Sequence, residues 1–144
     1  MIEIQIVKLE PSAQIPTQAN SGDAGFDLYS VEEVTLAPFE RSAVRTGISI
    51  ALPASTVGLV HPRSGMALNH GIAVLNSPGT IDSGYRGEIK VILINLDPKK
   101  SFTIKPKDRI AQLVIQDFKN AEFALVEELS NSSRGNSGFG STGA

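Results

Sequence analysis

One polar, glycine-rich stretch, NSPGTIDSGYRGEI at residues 76–89, carries the side chains best suited to chemistry. Its carboxylate, Asp82, can serve as a general base if it orients a water molecule, because a carboxylate accepts a proton. Tyr85 offers a flat face to a sugar or a base, and Asn76 offers both a donor and an acceptor to a nucleobase edge. On this stretch alone, an ordinary turn for Asp82 and a core position for Tyr85 are the favoured interpretations.

A second stretch, HPRSGMAL at residues 61–68, has the composition of an anion site. Arg63 supplies a fork of N–H donors that suits phosphate. Ser64 adds a hydroxyl, and Gly65 allows the backbone to approach a ligand closely. A helix that begins here would also direct its first N–H groups toward an anion. Taken alone, the stretch is better explained as a helix cap beside a surface arginine.

Two further polar residues stand among apolar neighbours. Asp27 lies between Phe26 and Leu28, so a strand would point it away from both of them. It either orders Arg63 or metal-bound waters, or it is an exposed strand residue. Gln112 interrupts the apolar segment RIAQLVI, and a buried glutamine needs either an internal hydrogen bond or a ligand.

The composition limits the class of protein. A chain of 144 residues with 41% hydrophobic content suits one domain with a core, and a formal net charge of −2 gives no reason to expect broad contact with nucleic acid or membrane. The absence of cysteine excludes disulfides and thiolate metal sites. His61 and His70 lack a nucleophile pattern and are predicted to end a strand and a helix. No apolar run approaches about 20 residues and the N-terminus is unlike a signal peptide, so we expect a cytoplasmic protein.

Short strands must position these side chains. Five segments that alternate or are rich in β-branched residues predict strands: IEIQIV, RTGISIAL, EIKVILINL, SFTIKP and IAQLVIQDF. The third is apolar enough to predict burial on both faces. Their spacing predicts a sandwich or a barrel. RSGMALNHG predicts one short helix of about two turns, capped by Ser64 and stopped by Gly71.

The last part of the chain differs in composition. From about residue 130 it is dominated by Ser, Gly, Asn and Thr, which predicts a mobile tail. One cation, Arg134, and one aromatic residue, Phe139, stand among these small residues. We therefore predict a β domain at residues 1–129 and a flexible arm at 130–144.

Five stretches, taken in order, resemble the motifs of the trimeric dUTP pyrophosphatase (dUTPase) family. They are AGFDLYS, PRSGMAL, NSPGTIDSGYRGEI, RIAQLVI and RGNSGFGSTG, and they extend from about residue 24 to residue 143. GTIDSGYRGE and RGNSGFGSTG together are the most specific. Pro62 stands where the family more often has glycine, Met66 where leucine is usual and Ser30 where alanine is common. None of these departures removes a functional group.

The resemblance implies an all-β, jelly-roll-like barrel with one short helix, assembled as a homotrimer with active sites shared between subunits. It implies hydrolysis of dUTP to dUMP and pyrophosphate, which clears dUTP from the nucleotide pool and supplies the precursor of dTMP. Mg²⁺ would be carried on the triphosphate. The alternatives are a dCTP deaminase-like enzyme, which would release ammonia and lacks this arm, and a non-catalytic nucleotide-binding module on the same barrel.

The family pattern also implies roles around the nucleoside. Asp82 would orient and deprotonate the water that attacks the α-phosphorus. Tyr85 would stack on the deoxyribose and exclude a 2′-hydroxyl, and Asn76 would distinguish uracil from cytosine. The main chain of a tight hairpin from Asn76 to Asp82 would leave no room for the methyl group of thymine. The other substrate-binding positions of this hairpin and the following strand are Gly79, Thr80, Ile81 and Lys90.

The phosphate roles fall on the remaining motifs. The resemblance implies that Arg63, Ser64 and Gly65 of another subunit hold the phosphates, and that Gln112 assists them. Asp27 would reach the metal only through water.

The tail resembles a closing arm of the family. Arg134 would pair with the γ-phosphate, Phe139 would stack on uracil, and Gly140 would add a backbone donor. The sequence is rich in glycine because the arm must wrap closely around phosphate and move when the site is empty.

Overall fold

The chain folds into short β-strands and one helix. The computed structural model describes residues 2–136. Within that range the elements are β1 Gln5–Lys8, β2 Gly25–Tyr29, β3 Val34–Leu36, β4 Arg41–Arg45, β5 Ile48–Ala51, β6 Thr56–His61, α1 Ser64–His70, β7 Ile72–Val74, β8 Gly79–Ile81, β9 Lys90–Asn95, β10 Phe102–Ile104 and β11 Arg109–Asp117. The predicted all-β class with one short helix is confirmed. The first strand begins later than the alternation from Ile2 predicted.

Every strand pairing among the described residues is antiparallel. The largest sheet has the order β2-β11-β6-β8, and a second sheet has the order β4-β9-β7. Two smaller sheets pair β1 with β5 and β3 with β10. The sheets enclose one core of aliphatic side chains, including Leu28, Leu36, Val44, Leu93 and Ile104.

Strand β9 is buried on one face rather than on both. Val91 and Leu93 are each 1% exposed, whereas Ile92 and Ile94 are half-buried. The expectation of two buried faces is wrong because the second face of this strand is only partly covered, and Ile92 lines a surface cavity described below.

The strand ends at a buried polar residue, Asn95, which is 0% exposed. Its Nδ2 group donates to the carbonyl oxygens of Leu36, at 3.0 Å, and Lys100, at 2.8 Å. Its Oδ1 atom accepts the N–H of Asp97 at 2.9 Å. This side chain therefore joins the end of β3 to the turn after β9.

The helix starts one residue earlier than predicted. Arg63 occupies the N-cap position with extended backbone (φ −98°, ψ 127°) and makes no side-chain capping bond, so Ser64 is the first helical residue and not the cap. The chain is still extended at Arg63 as it leaves β6 through Pro62, and this moves the Ser64 hydroxyl past the capping position. Gly71 ends the helix as predicted, with a left-handed φ of 66° and an N–H that bonds the Ala67 carbonyl.

The segment after β11 is irregular and exposed. Residues 118–136 form no strand or helix, and four large apolar side chains within them are at least 55% exposed: Phe123, Leu125, Val126 and Leu129. The last strand thus ends at Asp117, well before residue 129. Among residues 2–136, no helix is long and apolar enough to span a membrane.

Candidate active site

Most of the residues predicted to contact a nucleoside line one cavity. Its volume is about 410 Å³, and we call it the Asp82 cavity. Apolar side chains from β6, β7 and β9, such as Val60, Val74 and Ile92, form its inner wall. The predicted site residues in its lining are Asn76, Gly79, Thr80, Ile81, Asp82, Tyr85 and Lys90.

The segment that forms the floor of this cavity crosses between two sheets. β7 pairs with β9, matching Val74 with Leu93, whereas β8 pairs with β6, matching Gly79 with Val60. The predicted hairpin from Asn76 to Asp82 is therefore wrong in its pairing, because β7 and β8 each use a different neighbour. The segment nevertheless turns back on itself, since a Cβ added at Gly79 would lie 3.4 Å from Nδ2 of Asn76.

Asp82 follows β8 and is exposed at the mouth of the cavity. Its carbonyl accepts the N–H of Tyr85 at 3.0 Å, so the turn interpretation describes the local backbone correctly. Tyr85 is 47% exposed, which rules out the core interpretation. The phenol O–H of Tyr85 donates to the Glu88 carbonyl at 3.0 Å.

The predicted phosphate ligands line a second cavity of about 380 Å³. We call it the Arg63 cavity, and Arg63, Ser64, Gly65, Gln112 and Asp27 all lie in its wall. Ser64 and Gly65 form the first turn of α1 at its edge.

Asp27 holds Arg63 in place within this cavity. Its Oδ1 atom lies 3.1 Å from Nε of Arg63, and its Oδ2 atom lies 3.3 Å from NH1 of Arg109. Arg63 also donates through NH1 to the Arg109 carbonyl at 3.2 Å. The Asp27 side chain is only 13% exposed, so the interpretation as an exposed strand residue is wrong. The sequence did not single out Arg109, because its contact depends on the pairing of β11 with β2.

Gln112 has an internal partner and still faces the Arg63 cavity. Its Nε2 group donates to the Pro62 carbonyl at 2.9 Å, which supports the chain just before Arg63. Its amide lies so close to Gly25 that a Cβ at that glycine would overlap Oε1. Gly25 therefore allows β2 to approach the amide closely.

Strand β6 separates the two cavities. Ile81 pairs with Gly58, so Asp82 lies beside the start of β6, whereas Arg63 follows the end of that strand. At a rise of about 3.3 Å per residue along β6, the backbones of Asp82 and Arg63 are separated by roughly 15 Å or more. Asp82 and Arg63 of one chain therefore line two separate cavities.

Three tail residues were predicted to contact the substrate. Arg134 belongs to an exposed turn in which the N–H of Gly135 donates to the carbonyl and hydroxyl oxygens of Ser132, at 3.2 and 3.1 Å. The lining of neither cavity includes Arg134. Phe139 and Gly140 lie outside the described residues.

The two histidines occupy the ends of elements, as predicted. His61 is the last residue of β6 and His70 the last of α1, where its ring lies 4.8 Å from the ring of Phe102. Over the range 2–136, no three His, Asp or Glu side chains cluster to hold a metal ion.

The whole chain matches known proteins of one kind. A family model described as dUTPase matches residues 11–143. The deoxyuridine 5′-triphosphate nucleotidohydrolase of Thermobifida fusca is 54% identical over 142 residues, which are 99% of this chain and 79% of that protein. The protein of the same name from Corynebacterium glutamicum is 55% identical over 140 residues, which are 97% of this chain and 94% of that protein.

Solved structures agree with these matches. A mutant dUTPase of Staphylococcus bacteriophage 80alpha, with dUpNHpp, has a TM-score of 0.93 and 30% identity over the full length of both chains. A mutant dUTPase from phage phi11 of S. aureus, whose structure describes the coordination of a structural Mg(II) ion, has a TM-score of 0.84 and 26% identity. That comparison covers 90% of this chain and 100% of the phage chain.

Proposed function

The chain belongs to the dUTPase family, and from this we infer that it hydrolyses dUTP to dUMP and pyrophosphate. The observation that carries the assignment to particular residues is the Asp82 cavity. It gathers a carboxylate, an exposed tyrosine and an amide side chain around one space of nucleoside size.

Asp82 is the proposed general base. Its carboxylate orients a water molecule and accepts one of its protons, while the water oxygen forms a bond to the α-phosphorus. The bond from the α-phosphorus to the bridging oxygen breaks, and pyrophosphate leaves with that electron pair. The exposure of Asp82 at the cavity mouth leaves room for the water and a route by which the proton returns to solvent.

Tyr85 and Asn76 are the proposed selectivity residues. The Tyr85 ring packs on the deoxyribose, so that a ribose 2′-hydroxyl would collide with it. Asn76 pairs with the uracil edge through its donor and acceptor. The main chain at Gly79, Thr80 and Ile81 limits the space next to the base, and Lys90 lines the same cavity.

The phosphates are bound by Arg63, Ser64, Gly65 and Gln112 of a second copy. The distance along β6 supports this arrangement, because one chain holds its two cavities too far apart to complete a site alone. We propose a homotrimer with shared sites, in which each subunit is a jelly-roll-like barrel. The exposed apolar side chains of Phe123, Leu125 and Leu129 further support association between copies.

Mg²⁺ is the proposed cofactor, and the donor set of the chain fits an ion that travels with the triphosphate. Both oxygens of Asp27 contact guanidinium groups, so this carboxylate can accept a hydrogen bond from a metal-bound water but is not free to act as a direct ligand. Mg²⁺ retains several waters and prefers phosphate oxygens. When bound, the ion would neutralise part of the negative charge on the phosphates.

The arm is the last part of the proposal. Residues 1–129 form the β domain, and residues 130–144 close over bound nucleotide. Arg134 contacts the γ-phosphate, and Phe139 and Gly140 cover the base and the phosphates. Closure excludes water and strengthens each charge interaction in the site.

The test is pyrophosphate release with Mg²⁺ from dUTP, dTTP, dCTP and UTP, for the native chain and for Asp82→Asn. We expect release that is selective for dUTP and falls by about 100-fold or more in the variant, because general-base catalysis contributes about 10²–10⁴ in rate. Binding of dUTP without turnover by the native chain would instead identify a binding module, and ammonia release from dCTP would identify a deaminase.

A further inference from the structure

An ion pair holds the loop that carries Tyr85. The Nε group of Arg45, at the end of β4, donates to both carboxylate oxygens of Glu88, at 3.1 and 3.2 Å. The Oε1 atom of Glu88 also accepts the N–H of Gly47 at 3.0 Å. The Glu88 side chain is only 15% exposed, so these bonds fix a carboxylate that is largely shielded from water.

The same residue fixes the phenol of Tyr85. The Tyr85 O–H donates to the Glu88 carbonyl, and the ring passes over Gly87. A Cβ at Gly87 would lie 2.6 Å from Cζ of Tyr85, so the ring keeps this position only beside a glycine. The position of the ring therefore depends on where the backbone of Glu88 is held.

Arg45 is itself held from two other sides. Its backbone N–H donates to Oε1 of Glu32 at 2.8 Å, and its NH2 group lies 3.0 Å from Oε2 of Glu10. The Glu88 side chain is the leading cause of the raised pKa of Arg45, so the guanidinium stays charged. Glu10 also accepts a hydrogen bond from Ser12, which lies outside the loop that carries Tyr85. Glu10 therefore provides a matched control, because it contacts the same arginine but not that loop.

We propose that Arg45 and Glu88 are positioning residues that fix the Tyr85 ring where it excludes a 2′-hydroxyl. Steric exclusion of one hydroxyl requires a ring that cannot retreat, and such rigidity comes from the residues that support the contacting side chain. The inference rests on the proposed function, specifically on the role of Tyr85 toward the sugar.

The test compares kcat/KM for dUTP and for UTP in the native chain and in Glu88→Gln, Arg45→Met and Glu10→Gln. In the first two variants we expect the dUTP-to-UTP ratio to fall by about tenfold or more, through a gain with UTP and a higher KM for dUTP. In Glu10→Gln the ratio stays within about twofold of the native ratio, because the loop contact is intact.

A second variant, which moves the Tyr85 ring directly, distinguishes a positioning role of the ion pair from a purely stabilising one. We expect Gly87→Ala to displace the Tyr85 ring while leaving the ion pair intact, and so to lower the dUTP-to-UTP ratio of kcat/KM. Adding Glu88→Gln to this variant should lower that ratio little further. An unchanged ratio in Glu88→Gln and Arg45→Met, beside a lowered ratio in Gly87→Ala, overturns the proposal and leaves the ion pair a stabilising role only. If the native chain does not hydrolyse dUTP, the proposed function itself fails, and this result is visible before any variant is made.

Discussion

At the scale of single residues, Asn95 shows how one polar side chain can determine where a strand ends. Both bonds that the side-chain Nδ2 group donates, and the one that Oδ1 accepts, have backbone partners, although the residue is 0% exposed. Asn95→Ala leaves the Leu36 and Lys100 carbonyls and the Asp97 N–H without this partner. We expect the free energy of unfolding to fall by about 2–4 kcal/mol, because leaving the buried Leu36 carbonyl unpaired costs about 1–3 kcal/mol and the two partly buried groups add a smaller cost.

Urea denaturation of both proteins measures this loss. Asn69→Ala is the matched control, since Asn69 is an exposed residue of α1. Its free energy of unfolding should stay within about 0.5 kcal/mol of the native value. Equal stability of Asn95→Ala and the native chain would contradict the role of Asn95.

Residue patterns predicted which residues line the cavities better than they predicted the contacts between them. Asp27, Arg63 and Gln112 were singled out as residue types, and they do line one cavity. Arg109 and Arg45 were not singled out, because an exposed arginine in a sequence gives no sign of its partner. Their roles arise from contacts between segments more than 40 residues apart, such as the ion pair of Arg45 with Glu88.

At the scale of elements, the sequence patterns predicted the helix and the strands β1, β5, β9, β10 and β11, but not the other six strands of the described residues or which strand pairs with which. The segment from Asn76 to Asp82 has the turn residues of a hairpin, yet β7 and β8 pair with β9 and β6. Local turn chemistry cannot distinguish these outcomes, because the choice depends on which neighbour buries the apolar face of each three-residue strand. The change in composition predicted that the β domain ends at residue 129, whereas the last strand of the described residues ends at Asp117.

The turn after β9 makes a prediction about acid stability. Oδ1 of Asp97 accepts the N–H groups of Lys99, at 2.8 Å, and Lys100, at 2.9 Å. These two hydrogen bonds lower the pKa of Asp97 below its ordinary value of 3.8, and the bond from Lys99 is the leading cause. A lowered folded-state pKa adds stability that is complete above the unfolded value and is lost as the pH falls through the folded value.

Asp97→Asn removes this titration. We expect the difference in free energy of unfolding between the native chain and the variant to be present at about pH 6 and to shrink below pH 3.8. Urea titrations at both pH values measure it, and Glu33→Gln, at an exposed position, is the control. A difference that does not change with pH would show that the Asp97 charge is not stabilised in the folded state.

At the scale of the whole molecule, the two cavities pose a question that one chain cannot answer. Asp82 and Arg63 lie at opposite ends of β6, roughly 15 Å or more apart along the strand. We propose that both act on one dUTP and that they come from different copies of the chain. The exposed apolar side chains between Phe123 and Leu129 give those copies a reason to associate, since burying them removes apolar surface from water.

Mixed assemblies test this arrangement directly. Asp82→Asn chains lack the base, and Arg63→Ala chains lack the phosphate fork, so each variant alone should release little pyrophosphate from dUTP. When the two are co-expressed with different tags and purified through both, some interfaces join the intact Asp82 of one copy to the intact Arg63 of another. In a ring of three copies that contains both variants, about a third of the sites regain both groups, and activity should return to about that fraction of the native value. Assemblies that verifiably contain both variants and remain as inactive as either alone would place Asp82 and Arg63 of a single chain at the same nucleotide, against the strand register.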